Sequence, residues 1–259
     1  MANYCFTDLH GNYNLWCQIK NYIDSKDDIE RVYCLGDCID RGQDGYQILK
    51  EVLAHRKIIF IAGNHEEFLE QCVPAFMSDK YEDYDLWCVF NGGERTWEAI
   101  CEDKVSEVCA IIQEIKCAPT HIELKSKDGK DIYLSHSGYN PYVEDETFRL
   151  RGKRVKDRYI WNRDHISTPY DEEWFANYTG DFDWKNAYII HGHTPVQYIT
   201  GEWRDNYVAN PDLYDPRVLH YANGHKIDLD LCTIESNRAV LFNLDTFEEV
   251  YFECEEKED

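Results

Sequence analysis

The sequence predicts an α/β fold, and three observations predict it. Short apolar runs alternate with amphipathic segments near the start, a hairpin signal follows in the middle, and strand-like runs alternate near the end. "NYCFT" is a short strand. "NYNLWCQIKNYIDSK" carries apolar residues at Leu15, Trp16, Ile19, Tyr22 and Ile23, the spacing of one helix face. "RVYCL" is the next buried strand, "QDGYQILKEVLAHR" the next helix with Asp44 placed as its N-cap, and "KIIFIA" the third strand. This β-α-β-α-β alternation favours a mostly parallel sheet covered on both faces. Residues 66 to 118 read as helical, most clearly "VSEVCAIIQEIKC". "HIELKSKDGKDIYLSHS" is a hairpin around the turn pair Asp128-Gly129, and "AYIIHG" is another buried strand. From about 218 to 253, "VLHYA", "KIDLDL", "RAVLFNL" and "EEVYFE" read as a meander, a mixed or second sheet contributed by the C-terminal half.

Neither an internal repeat nor a low-complexity linker interrupts the 259 residues, and the seven prolines are too dispersed to mark a hinge. One domain over 1–252 is expected, followed by an acidic, disordered tail at 253–259. No stretch approaches 18 consecutive apolar residues, which excludes a spanning helix by length. "MANYCFTDLHGN" lacks the basic-then-apolar order of a signal peptide, so a cytoplasmic location is expected. The eleven cysteines contain no C-x-x-C pair and sit mostly in apolar segments, which reads as reduced, buried thiol. Cys34 and Cys38 flank Asp37 and are an alternative soft-metal pair, but no second cysteine pair completes a zinc site. The formal charge of −23 opposes binding to nucleic acid or anionic membranes. A small phosphate group is still compatible with it, where metal ions or a few arginines reverse the sign locally.

The polar residues fall in a pattern. "CFT" runs into Asp8 and His10, "VYCL" into Asp37, "IIFIA" into Asn64 and His65, "IYLS" into His136, and "YIIHG" into His193, with His191 beside it as a supporting or structural residue. Ligands of open α/β sheets bind at the carboxyl ends of strands. A single strand-end Asp is more often a turn, and a single strand His a core residue. Five strand ends in order are a different matter. Asp8 and His10, at i and i+2, project from the same side of an extended segment. Two carboxylates, three imidazoles and an amide oxygen suit Mn²⁺, Fe²⁺/³⁺ or Zn²⁺. Six ligands suit two ions bridged by a carboxylate better than one ion with open positions. His65, next to Asn64, is placed as a general acid, and Asp40 as the carboxylate that holds it. Arg41 and Arg163 are candidate phosphate clamps, the alternative for Arg163 being a surface ion pair.

"DLHG", "GDCIDRG" and "GNHE" in this order, with "NGG", "SHSG", "WNR" and "GHTP" after them, resemble the phosphoprotein phosphatase family of metallophosphoesterases. The set is most similar to the branch typified by the bacteriophage lambda protein phosphatase and its bacterial relatives. The resemblance spans residues 3 to 250. It implies a β-sandwich of two mixed sheets flanked by helices, and a serine/threonine protein phosphatase activity with two divalent metal ions as cofactors, manganese first and iron or zinc next. Asp8 and His10 would hold one ion, Asn64, His136 and His193 the other, with Asp37 bridging and a hydroxide between the ions attacking phosphorus in line. Arg41 and Arg163 would grip phosphate, and His65, oriented by Asp40, would protonate the leaving alkoxide. The resemblance selects His193 over His191 and implies a phosphorylated protein or small phosphoester as partner. A symmetrical dinucleoside-tetraphosphate hydrolase uses the same motifs and is the alternative; a catalytically silent phosphoprotein-binding protein is a third reading, opposed by the intact ligand set. Two departures stand out. Thr7 replaces the usual glycine before Asp8, and Leu231-Cys232 replaces the Thr-Gly that follows the family's aspartate, here Asp230. These, and the individual stretch 168–186, bear on specificity.

Overall fold

The computed structural model describes residues 1–139, 157–163, 177, 182–183, 186–200 and 215–254, so most of 168–186 lies outside the described residues. The first five elements follow the predicted alternation: β1 (Ala2–Phe6), α1 (Tyr13–Ser25), β2 (Ile29–Cys34), α2 (Gly45–Ala54) and β3 (Ile58–Phe60). α1 buries Leu15, Trp16, Ile19 and Ile23, the face its spacing marks, and starts where the Asn12 side chain accepts the Leu15 N–H at 3.2 Å. Asp44 does stand at the N-cap of α2, but its side chain makes no capping bond. Its own N–H is spent on the Gly11 carbonyl, which ties the start of α2 to the turn after β1.

The predicted helical middle comprises α3 (Asn64–Phe76), a π-helical turn over Asp85–Val89, α4 (Glu94–Glu102) and α5 (Val105–Cys117). β4 (His121–Lys125) and β5 (Asp131–Ser135) form the predicted antiparallel hairpin. β6 (Ala187–His191), β7 (Leu219–Tyr221), β8 (Lys226–Asp228), β9 (Arg238–Asn243) and β10 (Glu249–Glu253) complete the strands among the described residues. β10 reaches one residue into the stretch expected to be a tail.

Two five-stranded mixed sheets result, in the orders β10-β9-β1-β2-β3 and β4-β5-β6-β8-β7. The expected parallel pairing holds for β1-β2-β3, but β9 joins the other side of β1 antiparallel. The C-terminal strands are not one meander. β7 and β8 extend the second sheet, whereas β9 and β10 form a hairpin on the first. Alternating apolar residues identify a strand but say nothing of which edge it joins. The helices cover one face of the first sheet, where Phe6, Trp16, Ile39 and Leu49 meet in one core. Its other face packs on the second sheet, where Leu35, Phe242 and Val240 meet Leu134, Ile190 and Ile227.

The cysteines among the described residues are free, but burial is uneven: Cys5, Cys34, Cys38, Cys72, Cys88 and Cys232 are buried, while Cys101, Cys109 and Cys117 are exposed. "EVCAIIQEIKC" turns Val108, Ile111, Ile112 and Ile115 inward, which leaves its cysteines on the opposite face. No helix among the described residues is long and apolar enough to cross a membrane.

The sheet-to-sheet core yields a direct expectation. Phe242 is fully buried there, so Phe242→Ala lowers unfolding free energy by roughly 3–5 kcal/mol, read from urea denaturation curves.

Candidate metal-binding site

Asp8, His10, Asp37, Asn64, His136 and His193 all lie just beyond the carboxyl ends of β1, β2, β3, β5 and β6, and all are buried. Three of those strands belong to the first sheet and two to the second, so the residues converge from both halves of the sandwich. The sequence reading expected Asp8 and His10 on extended backbone. They occupy left-handed conformations instead, with φ of 52° and 42°, because β1 ends at Phe6 and the chain turns sharply. Asp37, Asp40, Arg41 and His193 share that conformation, at 54°, 68°, 63° and 72°. Each such residue costs on the order of 1–3 kcal/mol unless its surroundings hold it.

Asp37 is held most completely. Its Oδ1 accepts the His65 backbone N–H at 3.1 Å, at the second residue of α3, where the helix dipole favours negative charge. The Glu66 carboxylate accepts the backbone N–H groups of Asp37, Cys38 and Gly63, joining the end of β2 to the start of α3. At Gly63 a Cβ would fall 2.1 Å from Asp37 Oδ1, and at Gly192 it would fall 2.1 Å from Asp8 Oδ2, so only glycine lets the backbone pass these carboxylates.

The remaining oxygen, Asp37 Oδ2, faces His10 Nε2 at 3.6 Å, His136 Nε2 at 3.3 Å and His65 Nε2 at 3.8 Å. His10 donates from Nδ1 to the Ile39 carbonyl at 3.0 Å and His136 from Nδ1 to the Leu35 carbonyl at 2.9 Å. Their Nε2 atoms therefore point into the site. His10 Nε2 lies 3.8 Å from Asp8 Oδ1, a buried oxygen without a hydrogen-bond partner. Three donor atoms that converge at separations too long for hydrogen bonds suit a cation between them, since metal–nitrogen bonds of about 2.0–2.1 Å put ligand atoms about 3–3.5 Å apart. On the other side, Asn64 Oδ1 lies 2.9 Å from His136 Nε2 and 2.7 Å from His193 Nδ1. Two overlapping groups able to hold a metal thus share Asp37: His10 and His65 with Asp37, and His136 and His193 with Asp37.

His65 could join the first group by distance alone, in place of Asp8. Its Nδ1, however, donates to Asp40 Oδ2 at 2.7 Å, which aims its Nε2 past the cluster toward Arg41 Nη2 at 3.2 Å. Asp8 with its unpartnered oxygen fits the group better. Arg163, exposed on the surface, donates from Nη1 to Thr194 Oγ1 at 3.2 Å and so sits on the turn that carries His193.

Electrostatics follow from this packing. Burial opposes charge on Asp37, but His136, His65 and His10 overcome it and hold its carboxyl well below the usual range. Burial alone would lower His136; Asp37, Asp8 and Glu66 outweigh it and raise the imidazole to about 9. Burial raises Asp8 to about 6, with Asp37 adding to the shift and His136 opposing it. His10 is pushed well below its ordinary value by burial, Arg41 and His65, which keeps its Nε2 lone pair free to ligate.

Cys34 and Cys38 lie 3.4 Å apart, sulfur to sulfur, and buried; among the described residues no metal-binding group includes them. His191 donates or accepts at Tyr221 Oη over 2.7 Å, and burial pushes it down to about 3, a neutral core histidine. Of the other contributions, those of Trp87 and Asp228 were not visible in the sequence, whereas Asp230 stood in the resembled motif. Trp87 donates from Nε1 to Asp40 Oδ2 at 2.8 Å, across 47 residues of chain, so this one oxygen accepts from both His65 and Trp87. A sixth strand end, that of β8, brings buried Asp228 and Asp230 alongside, both raised by burial, with Asp8 adding to the shift at Asp230. The departures also acquire structure. Thr7 donates from Oγ1 to Asp8 Oδ2 at 2.6 Å, beside the His193 N–H at 3.1 Å, and leaves Oδ1 as the outward oxygen. Cys232, at the place of the resembled motif's glycine, has a left-handed φ of 55°.

With this geometry in hand, comparison with known proteins is decisive for the family: residues 4–228 match the calcineurin-like phosphoesterase family. The chain belongs to that family. It is 28% identical over 162 residues to serine/threonine-protein phosphatase 2 of Salmonella typhimurium, spanning 61% of this chain and 66% of that protein. It is 23% identical over 246 residues to an asymmetrical bis(5'-nucleosyl)-tetraphosphatase of Oceanobacillus iheyensis, spanning 89% of this chain and 80% of that one. A crystal structure of a candidate diadenosine tetraphosphatase shares the fold, with a TM-score of 0.56 at 12% identity over 98% of this chain and 94% of the other. Calcineurin-like phosphoesterases use divalent metals, and the donor set described above fits such ions.

Two outcomes are expected. Thr7→Val keeps the side-chain volume but removes the hydroxyl that anchors Asp8, and weakens Mn²⁺ affinity about 10-fold, measured by calorimetry. At pH 7 the His136 imidazole, raised to about 9, carries a proton in the metal-free protein. Binding a cation there must displace it, so metal uptake releases about one proton and affinity strengthens as pH rises toward 9. Binding heats compared in two buffers of different ionisation enthalpy read this release directly; a heat independent of buffer contradicts it.

Proposed function

We propose that this phosphoesterase is a dinuclear-metal-dependent phosphomonoester hydrolase acting on phosphoserine and phosphothreonine in proteins. One observation carries the proposal: Asp37 Oδ2 stands between two groups of buried donors, with the His65–Asp40 pair beside them. In this reading Asp8 and His10 hold one ion, Asn64, His136 and His193 the other, and Asp37 bridges them. When bound there, divalent ions (manganese, iron or zinc by the N/O donor set) would supply Lewis acidity toward phosphoryl oxygens and would acidify a water.

The chain's own residues do the rest. Arg41 and Arg163 orient the phosphoryl group through charge-assisted, bidentate hydrogen bonds. His65 gives the proton on Nε2 to the leaving alkoxide. Its Nδ1–H stays on Asp40 at 2.7 Å, which fixes the ring plane and aims Nε2. Arg41 Nη2 donates to His65 Nε2 at 3.2 Å, so the guanidinium must turn to the phosphoryl oxygens before Nε2 can carry the proton it gives. His65 and Asp40 are buried, so their interaction is little screened, whereas Arg41 and Arg163 are exposed at the mouth of the site.

A second reading is a dinucleoside-tetraphosphate hydrolase. The longer of the two sequence matches, to the Oceanobacillus tetraphosphatase, favours it. The acidic surface favours a protein substrate over a nucleotide carrying four phosphates.

Side-by-side turnover of p-nitrophenyl phosphate, a phosphoserine/phosphothreonine peptide panel and diadenosine tetraphosphate with Mn²⁺ separates the readings. Phosphopeptides are expected to be hydrolysed best. Preference for the dinucleotide promotes the second reading, and no turnover of any substrate sinks the enzyme assignment. His65→Asn is expected to retain metal and lose about 10²–10⁴-fold in phosphopeptide turnover, with a much smaller loss on p-nitrophenyl phosphate, whose leaving group needs little protonation. Wild-type turnover of phosphopeptides by this variant rules out His65 as the acid.

A further inference from the structure

The segment between α3 and α4 faces two ways. Its π-helical turn, Asp85–Val89, sends Trp87 and Cys88 inward, Trp87 to Asp40. The same turn leaves Leu86 49%, Val89 62% and Phe90 78% exposed, with Tyr81 at 48% and Met77 at 42% nearby. Half of the large hydrophobic side chains exposed among the described residues lie in this one segment, and singly scattered exposure does not produce such a concentration. Acidic side chains surround them: Asp79, Glu82, Asp83, Asp85 and Glu94 are exposed, against Lys80 and Arg95.

This surface borders the site. Directly after Phe90, the Gly92 carbonyl accepts the Arg41 backbone N–H at 2.8 Å. A Cβ at Gly92 would meet Arg41 Cα and Cγ at 3.1 Å, so the loop lies flat against the proposed phosphate clamp. The segment therefore touches both Arg41 and the carboxylate that supports His65.

We propose that Leu86, Val89 and Phe90, with their acidic surround, form a docking surface for polypeptide substrates that carry basic and apolar residues next to the phosphorylated residue. The inference rests on the protein phosphatase reading above and adds a substrate class to it. Charge complementarity selects this occupant. Five carboxylates repel the polyphosphate chain of a dinucleotide and attract lysine or arginine, while an apolar flanking residue covers side chains otherwise left in water.

The test uses phosphoserine peptides of one length, flanked either by Arg and Leu or by Glu and Ala. The enzymes are the wild-type protein, Phe90→Ser, and the double variant Glu82→Lys/Asp85→Lys, with p-nitrophenyl phosphate as the control for an intact site. The wild type is expected to show kcat/KM at least about 10-fold higher on the basic, apolar peptides, falling with added salt. Phe90→Ser loses the apolar part of that preference and the double variant its basic part, both with p-nitrophenyl phosphate turnover unchanged. Equal rates on both peptide classes, or a preference untouched by either substitution, overturn the docking surface while the phosphatase reading stands. If no phosphopeptide is hydrolysed while p-nitrophenyl phosphate or diadenosine tetraphosphate is, both fall together.

Discussion

The site depends on one carboxylate, that of Asp37, being kept ionised where water is excluded. A buried carboxylate alone would take up a proton. Asp37 does not, because one oxygen receives an N–H at the positive end of α3 and the other faces three imidazoles. That single arrangement fixes where β2 ends and where α3 starts. It also fixes the direction of Asn64 and His65, the first two residues of α3. Glu66 reinforces it by accepting three backbone N–H groups at the same junction. The start of one helix thereby aligns a proposed bridge, a proposed ligand and a proposed acid.

The scaffold tolerates this at a local cost. Half of the non-glycine residues with positive φ among those described belong to the predicted site set. Strain of this kind persists only where the surroundings over-determine it. Here the supports are two sheets joined by a dry core and glycines that let carboxylates approach backbone. Cys232 is an instructive exception. The family's glycine is gone, yet the left-handed turn survives because the Asp230 carboxylate accepts the Cys232 N–H at 2.9 Å.

Much of this was legible in the sequence, for identifiable reasons. Apolar period marks strands and helices, and a polar residue at each strand end marks the edge where ligands gather, so the convergence of Asp8, Asp37, Asn64 and His136 could be read directly, while the choice of His193 over His191 came from the family resemblance. The Asp40–His65 contact followed from motif spacing. Three things could not be read. Edge choice separated the C-terminal hairpins between sheets, and strand pattern is blind to it. Turn conformation decided how Asp8 and His10 project, and one aspartate and one histidine two residues apart are compatible with either geometry. Trp87 reaches Asp40 only through tertiary packing, from a π-helical turn that leaves no periodic signature. Thr7 lay in plain view as a departure from glycine, but a hydroxyl reveals its acceptor only in three dimensions.

The position of β1 carries a consequence for how the chain reaches this state. β1 supplies Asp8 and His10, yet it is an interior strand whose second neighbour is β9, with Tyr4 paired to Asn243 and Cys5 to Phe242. Everything from Tyr4 to Asn243 must be made before that pairing can close. Contacts of such long sequence separation slow folding and leave apolar strand edges open meanwhile. β1 can pair early with β2, close by in sequence, but the surroundings of Asp8 and His10 are complete only once the distant strand β9 has closed on its other side.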